Sequence, residues 1–92
     1  MLFAITCLDK PNHQELRLAH RAAHLDYARP NLEKMVAVGP LLSDDGESMI
    51  GSLLILDLPD RAAAEALLAN DPYVKAGLFE SVIIRPFKKV FP

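Results

Sequence analysis

Four short apolar runs, separated by two segments of helical periodicity, constrain the fold of this chain more than any other feature. Apolar runs of this length, bounded by turn residues, are typical of strands, and here they cover residues 2–8, 35–42, 49–58 and 79–87. Helical spacing of apolar residues extends from His13 to about Lys34 and returns in the Ala-rich segment 61–70. The predicted order of elements is therefore β-α-β-β-α-β.

This order predicts an α+β fold of the ferredoxin-like type, in which a four-stranded antiparallel sheet carries two helices on one face. A chain of 92 residues has room for one domain, which we expect to span residues 1–92. Pro30 is expected to kink or break the first helix. The second strand is expected to end at Gly39-Pro40, and Pro86 indicates that the fourth strand lies at a sheet edge.

The apolar pattern also predicts which surfaces are buried. One helical stripe, expected to face the sheet, consists of Leu18, Ala22, Leu25 and Leu32. Strand alternation predicts that the sheet face without helices carries Leu53 or Ile55 and Val82 or Ile84. A hydrophobic fraction of 51% is high for so short a chain. We therefore expect a homodimer in which a second copy covers this open face.

Composition excludes several classes of function. The net charge of -2, without a basic run, argues against a nucleic-acid partner. No apolar stretch approaches the ~20 residues of a membrane span, and the N-terminal run is too short for a secretory signal. The only cysteine, Cys7, cannot form an internal disulfide and is typical of a reducing compartment. A cytoplasmic protein is the expectation.

The three histidines cluster near the first helix, and His20 and His24 are four residues apart. Such a pair can hold a metal ion, but a site needs at least a third ligand, and none is evident in the sequence. Arg17 and Arg21 on the same side would repel a cation. The sequence therefore predicts no bound metal and no cofactor.

Two interpretations of the histidines remain. Relative to the leucine stripe, His20 is expected to be exposed and His24 to lie at the border between core and solvent, where histidines are commonly structural. A catalytic His24 would need a carboxylate to orient its ring. Asp26 faces another side of the helix, so the best candidate is Asp71, in the turn after the second helix. An aspartate before proline is equally typical of a helix N-cap.

A set of motifs in order along the whole chain resembles the YciI-like family. These motifs are "RAAHLDY" (21–27), "AVGPLL" (37–42), "GSLLILDL" (51–58) and "DPYVKAGLFESVIIRPF" (71–87). The resemblance implies a ferredoxin-like fold of the dimeric α/β-barrel superfamily. It also implies a homodimer with a cleft in each subunit and a His–Asp active site, formed here by His24 and Asp71.

The resemblance implies further positions near the cleft, namely Gly39, Pro40, Gly51 and Ser52. Most members of the family have no assigned reaction, and one characterised branch eliminates HCl from a chlorinated hydroxyquinol, a substrate that does not transfer to this chain. From the residues alone, Arg21 could attract an anionic substrate or remain solvated, and Tyr73 could donate a hydrogen bond or only pack.

The resulting hypothesis is a small-molecule enzyme of lyase or hydrolase type. Its catalytic residues are His24 and Asp71, and its substrate-binding residues are Arg21, Gly39, Pro40, Ser52 and Tyr73. Its ligand is a small organic, anionic molecule. The alternative hypothesis is a binding module for a small metabolite, or an accessory subunit, with the same cleft but no catalysis.

Overall fold

The computed structural model describes residues 1–92 and has one four-stranded antiparallel sheet. Its elements in chain order are β1 (Leu2–Asp9), α1 (Gln14–Ala28), a 3-10 helix (Arg29–Lys34), β2 (Met35–Leu42), β3 (Met49–Asp57), α2 (Arg61–Ala69), α3 (Pro72–Lys75) and β4 (Phe79–Phe87). The strands pair in the order β2-β3-β1-β4. This arrangement confirms the ferredoxin-like α+β fold that the order of elements predicts.

Three prolines mark the boundaries and edges of these elements. Pro30 lies in the first turn of the 3-10 helix, so the predicted break in the first helix is confirmed. The predicted bounds of the second strand, residues 35–42, are confirmed, but β2 does not stop at Gly39-Pro40 and continues through them to Leu42. β2 is an edge strand, where a residue without an N–H group is tolerated. Pro86 lies in β4, which is the opposite edge, as predicted.

The hydrophobic core lies between the sheet and α2. Asp60 caps this helix by accepting a hydrogen bond from the Ala63 N–H at 2.8 Å. Ala64 and Leu68, four residues apart, face the sheet together and are buried. The whole core cluster consists of Phe3, Ile5, Cys7, Leu54, Leu56, Leu58, Ala64, Leu68 and Ile84. It contains no residue of α1.

The first helix is rotated relative to the sequence prediction. Leu18 and Leu32 are 55% and 64% exposed, and Leu25 is also exposed, so the leucine stripe does not face the sheet. The one fully buried residue of α1 is Arg17. The prediction failed because it assigned the apolar stripe to the core, whereas this helix turns its polar face inward. His20, expected to be exposed, is half-buried. No helix of the chain has the length and hydropathy to cross a membrane.

The open face of the sheet carries part of the predicted set. Leu53 and Ile55 lie on it, opposite Thr6 and Ala4 of β1. In β4 the prediction is wrong, because Ile84 pairs with the buried Ile5 and points toward the helices, as Val82 does opposite Cys7. Ile83 occupies the open face instead. Leu8, Leu53 and Ile83 are exposed on this face.

Candidate active site

Asp71 stands at the start of α3 and makes two kinds of contact. Its backbone is extended, as expected for a residue that precedes a proline. The Asp71 Oδ1 atom accepts a hydrogen bond from the Tyr73 N–H at 2.8 Å and thereby caps the helix. The two carboxylate oxygens of Asp71 also lie 3.1 and 3.0 Å from His24 Nδ1. The cap and the histidine contact are therefore compatible, although the sequence presents them as alternatives.

His24 projects from the inner face of α1 and is held on two sides. Its imidazole stacks on the Tyr73 ring with a centroid distance of 4.2 Å and an interplanar angle of 15°. Asp71 accepts the hydrogen bond from Nδ1–H, which favours the tautomer with an unprotonated Nε2. Nε2 has no hydrogen-bond partner within the protein. Since no fully buried side-chain nitrogen or oxygen lacks a partner, this atom is accessible to solvent.

Arg17 lies about two helical turns before His24 on α1. It forms a buried ion pair with Asp9 at the end of β1. Arg17 Nε donates to Asp9 Oδ2 at 2.7 Å, and Nη2 donates to Asp9 Oδ1 at 2.9 Å. Nη2 also donates to Ser52 Oγ at 2.9 Å. The Arg17 and Asp9 side chains are only 2% and 6% exposed. Burial alone would lower the pKa of Arg17, but the Asp9 carboxylate and the Tyr73 side chain together more than offset it and raise that pKa.

The Tyr73 ring contacts both Arg17 and His24. The Arg17 Cζ atom lies 4.7 Å from the centroid of the Tyr73 ring, a cation–π contact, while His24 stacks on the same ring. Tyr73 is 1% exposed, and burial raises the pKa of its hydroxyl, with Arg17 and Arg21 opposing that effect. The phenol is therefore neutral at pH 7. It forms a rigid wall against which His24 and Arg17 are positioned.

Arg17, His24 and Tyr73 line a cleft of about 200 Å³ between α1, β2 and β3. All five residues that the sequence assigns to substrate binding line it, namely Arg21, Gly39, Pro40, Ser52 and Tyr73. His24 lines the cleft as well, whereas Asp71 lies behind His24 and does not line it. Arg21 is exposed at the cleft and has no ion-pair partner.

The strands beneath the cleft are in close contact. A Cβ atom on Gly51 would overlap the Cys7 carbonyl oxygen, so this position requires glycine for β3 to approach β1. The next residue, Ser52, pairs with Cys7 and reaches Arg17. Burial, with a further contribution from Asp71, raises the pKa of the Cys7 thiol to about 12. Cys7 is therefore a protonated core residue and not a nucleophile.

Sequence reasoning missed Arg17 and Asp9. Arg17, Arg21, His24 and Ala28 follow spacings of four, three and four residues, which place them on one helical face, so the polar face carried its own periodic signal. Asp9 directly follows the apolar run 2–8, which is another signal. Within the chain, no three side chains of His, Cys, Asp or Glu lie together as a metal site would require. The absence of a metal stays a prediction.

Comparison with known proteins places this chain in a family. The sequence signature of the YCII-related domain matches residues 1–88. The chain belongs to the YCII-related family. It is 38% identical to Protein YciI of Escherichia coli O6:H1 (strain CFT073) over 100 aligned positions, which cover 99% of this chain and all of that protein. It is 37% identical to an uncharacterized protein of Haemophilus influenzae, covering 99% of this chain and all of the relative.

Solved structures of one similar protein and of more distant proteins share the fold. The 5-chloro-2-hydroxyhydroquinone dehydrochlorinase TftG from Burkholderia phenoliruptrix AC1100, in complex with 2,5-dihydroxybenzoquinone, superposes with a TM-score of 0.90. It is 36% identical, and the match covers 96% of this chain and 94% of that one. A dimeric ferredoxin-like protein of unknown function from Jannaschia sp. CCS1 has a TM-score of 0.51 at 18% identity, covering 95% and 97%. The latter similarity concerns the fold alone.

Proposed function

We propose that this protein is a small-molecule enzyme in which His24 transfers a proton and Asp71 orients it. The observation that carries the proposal is the contact of His24 Nδ1 with both Asp71 oxygens, at 3.0 and 3.1 Å, while Nε2 remains accessible beside the cleft. A histidine oriented in this way has a lone pair directed toward a ligand and a carboxylate that stabilises the imidazolium once it forms.

The reaction begins when Nε2 of His24 takes a proton from the substrate. Asp71, which is 6% exposed, stabilises the resulting positive charge more strongly than water-exposed carboxylates do. The proton then leaves Nε2 to the product or to solvent. Abstraction followed by loss of a leaving group is a lyase reaction, and activation of water by the same nitrogen would be a hydrolase reaction. The name of TftG, a dehydrochlorinase, supports the lyase type.

The substrate carries an anionic oxygen in this proposal. Arg21 is an unpaired cation at the cleft, and Arg17 uses Nε and Nη2 for protein contacts, which leaves Nη1 available for a ligand. The Ser52 hydroxyl accepts from Arg17 and has its own hydrogen to donate. Gly39 and Pro40 of β2 form the opposite wall. These donors can bind the developing negative charge of an enolate or a phenolate.

Exchange of carbon-bound hydrogen tests the proposal without knowledge of the natural substrate. The probe is 2,5-dihydroxybenzoquinone, whose ring hydrogens can be followed by NMR in D2O. We expect the wild-type protein to accelerate their exchange, and we expect His24→Gln to lose about 10²-fold or more of that rate. Asp71→Asn should lose a smaller part, because Nε2 remains but its charged form is less stabilised. His20→Gln, on the same helix but outside the cleft, is the matched control.

The same experiment separates an enzyme from a binding module. If the quinone binds with the same affinity to wild type and to His24→Gln, and neither protein accelerates exchange, the cleft holds the ligand without proton transfer. That result would contradict the enzyme hypothesis and favour the module. Loss of folding in His24→Gln is distinguished by its thermal unfolding transition, which we expect within about 1–2 kcal/mol of wild type.

We also propose that the whole chain acts as one domain and forms a homodimer through the open sheet face. Leu8, Leu53 and Ile83 are exposed there, and apolar patches of this kind are typical of interfaces. Sedimentation equilibrium should give twice the 10.2 kDa mass of one chain. The Ile83→Glu substitution places a charge on this face, in the edge strand β4, and should produce monomers. A wild-type monomer at micromolar concentration would contradict the proposal.

A further inference from the structure

A second, smaller cavity of about 20 Å³ lies next to the cleft, on the side of His24 that faces Asp71. His24, Val38 and Leu54 line both spaces, so the two cavities adjoin at these three side chains. The remaining lining residues of the smaller cavity come from the end of α1, the 3-10 helix, the sheet and α2, and are mostly apolar. They include Ala28, Met35, Leu56, Leu67 and Leu68.

The polar side chains around this small cavity have partners within the protein. Asp71 contacts His24 and the Tyr73 N–H. The Tyr27 hydroxyl donates to the Leu67 carbonyl at 2.7 Å, and Asn31 Nδ2 donates to the Tyr27 carbonyl at 3.3 Å. A water molecule needs two to four polar partners to occupy a cavity, and here eight of the eleven lining residues are hydrophobic. The cavity therefore favours an apolar occupant over water.

We propose that this small apolar cavity is a subsite for an alkyl substituent of one or two carbons on the substrate. The inference rests on the proposed function, because it takes His24 as the base that the substrate approaches. The volume of about 20 Å³ matches one or two heavy atoms. Ala28 limits the size of the subsite from the helix side and Leu67 limits it from α2. The preferred substrate accordingly has an anionic oxygen toward Arg21 and a methyl or ethyl group near its reacting carbon.

The test compares the binding of 2,5-dihydroxybenzoquinone with that of its 3-methyl derivative by isothermal titration calorimetry. Burial of one methyl group corresponds to about fourfold in affinity, so the methyl derivative should bind about fourfold more tightly to wild type. Ala28→Leu fills the cavity and should reduce this ratio to one or below. Ala22→Leu, an exposed position on the same helix, should keep the fourfold ratio. Equal ratios in wild type and Ala28→Leu would overturn the subsite.

Enlarging the cavity gives a second measurement that does not depend on overpacking. Leu67→Ala removes three carbons from the wall, so the preferred substituent should shift from methyl to a larger group, and the 3-propyl derivative should gain several-fold relative to wild type. An unchanged order of preference in Leu67→Ala would also contradict the subsite. Thermal unfolding of each variant shows whether it is folded under the conditions of the titration.

The outcome separates the subsite from the proposed function. If the unsubstituted quinone binds and the methyl group adds nothing, the subsite fails and the His24–Asp71 proposal stands. If neither quinone binds, the ligand class of the cleft is wrong, and xenon then tests the cavity alone. Xenon should shift the NMR signals of the Leu67 and Leu68 methyl groups in wild type but not in Ala28→Leu. No shift in wild type would overturn the subsite independently of the quinones.

Discussion

The two long helices cover the same face of the sheet but bury opposite kinds of side chain. α2 turns Ala64 and Leu68 toward the strands, and both belong to the hydrophobic core. α1 turns Arg17 inward, with His24 largely buried beside it, and contributes nothing to that core. In this fold, one helix stabilises the sheet by apolar contact, while the other forms the wall of a cleft.

A helix can bury a polar face only when each polar group has a partner. Arg17 bonds to Asp9 and Ser52, and His24 bonds to Asp71. Unpaired, each of these groups would cost several kcal/mol to bury. The partners come from β1, β3 and the turn before α3, so the sheet and turn specify the rotation of α1 as much as its own sequence does.

The largest expected effect concerns the charge buried under α1. Arg17→Met keeps the length of the side chain but leaves the Asp9 carboxylate, 6% exposed, without its cationic partner. Removal of one member of a buried ion pair costs about 3–5 kcal/mol. Urea unfolding should therefore show a loss of free energy of unfolding of that size.

The matched control for this prediction removes both charges. The double variant Asp9→Leu, Arg17→Met buries no unpaired charge, and we expect it to recover most of the lost free energy. If Arg17→Met alone is as stable as wild type, the ion pair does not hold α1 in place. The two helices would then differ in the side chains that they bury, but the buried ion pair of α1 would not contribute to the free energy of unfolding.

The next effect compares a leucine from each helix. Leu68 of α2 is 7% exposed, and Leu68→Ala should cost about 2–5 kcal/mol. Leu18 of α1 is 55% exposed, and Leu18→Ala should change the free energy of unfolding by at most about 0.5 kcal/mol. Chemical denaturation measures both. If Leu18→Ala costs nearly as much free energy of unfolding as Leu68→Ala, the leucine stripe of α1 is buried. It is then buried either within the chain or against a second copy. Analytical ultracentrifugation of each variant distinguishes these two cases.

Much of the fold could be predicted because its signals are local. Pro30 ends α1, and the Ala-rich segment forms a helix where its spacing indicates. The phase of α1 could not be predicted from apolar spacing, since the apolar stripe of a helix beside a cleft does not need to face the core. In β4, Val82, Ile83 and Ile84 are all apolar, so the pattern has no period, and only the pairing with β1 decides which of them is buried.

The sequence identified the site residues that lie in distinctive local motifs, and it missed those whose pairing depends on the tertiary structure. His24 and Asp71 could be named because each lies in a distinctive motif, and the predicted contact between them is present at 3.0 Å. Their roles stay a prediction. Arg17 and Asp9 could not be paired from the sequence alone, because their bond depends on the inward rotation of α1. A charged residue on a helix is solvated more often than it is buried, so the sequence favoured the wrong environment for Arg17.

The smallest expected effect concerns pH and the strand beneath the cleft. Burial raises the pKa of Cys7 from 9.0 to about 12, so the folded protein keeps this proton while the unfolded chain loses it above pH 9. A group whose folded pKa is raised contributes stability below its unfolded pKa and loses that contribution as the pH rises toward its folded pKa. Between pH 8 and pH 10 the free energy of unfolding should therefore fall by about 1.4 kcal/mol because of this group. The Cys7→Ala variant supplies the control, since its stability should fall less steeply between pH 8 and pH 10, whatever its absolute value. Tyr27 and Tyr73, whose pKa values are raised by burial, retain their part of the slope in that variant. Equal slopes in the two proteins would mean that the Cys7 thiol ionises as easily in the folded state as in the unfolded chain, and that the sheet beneath the cleft is more accessible to water than the α2 side of the core.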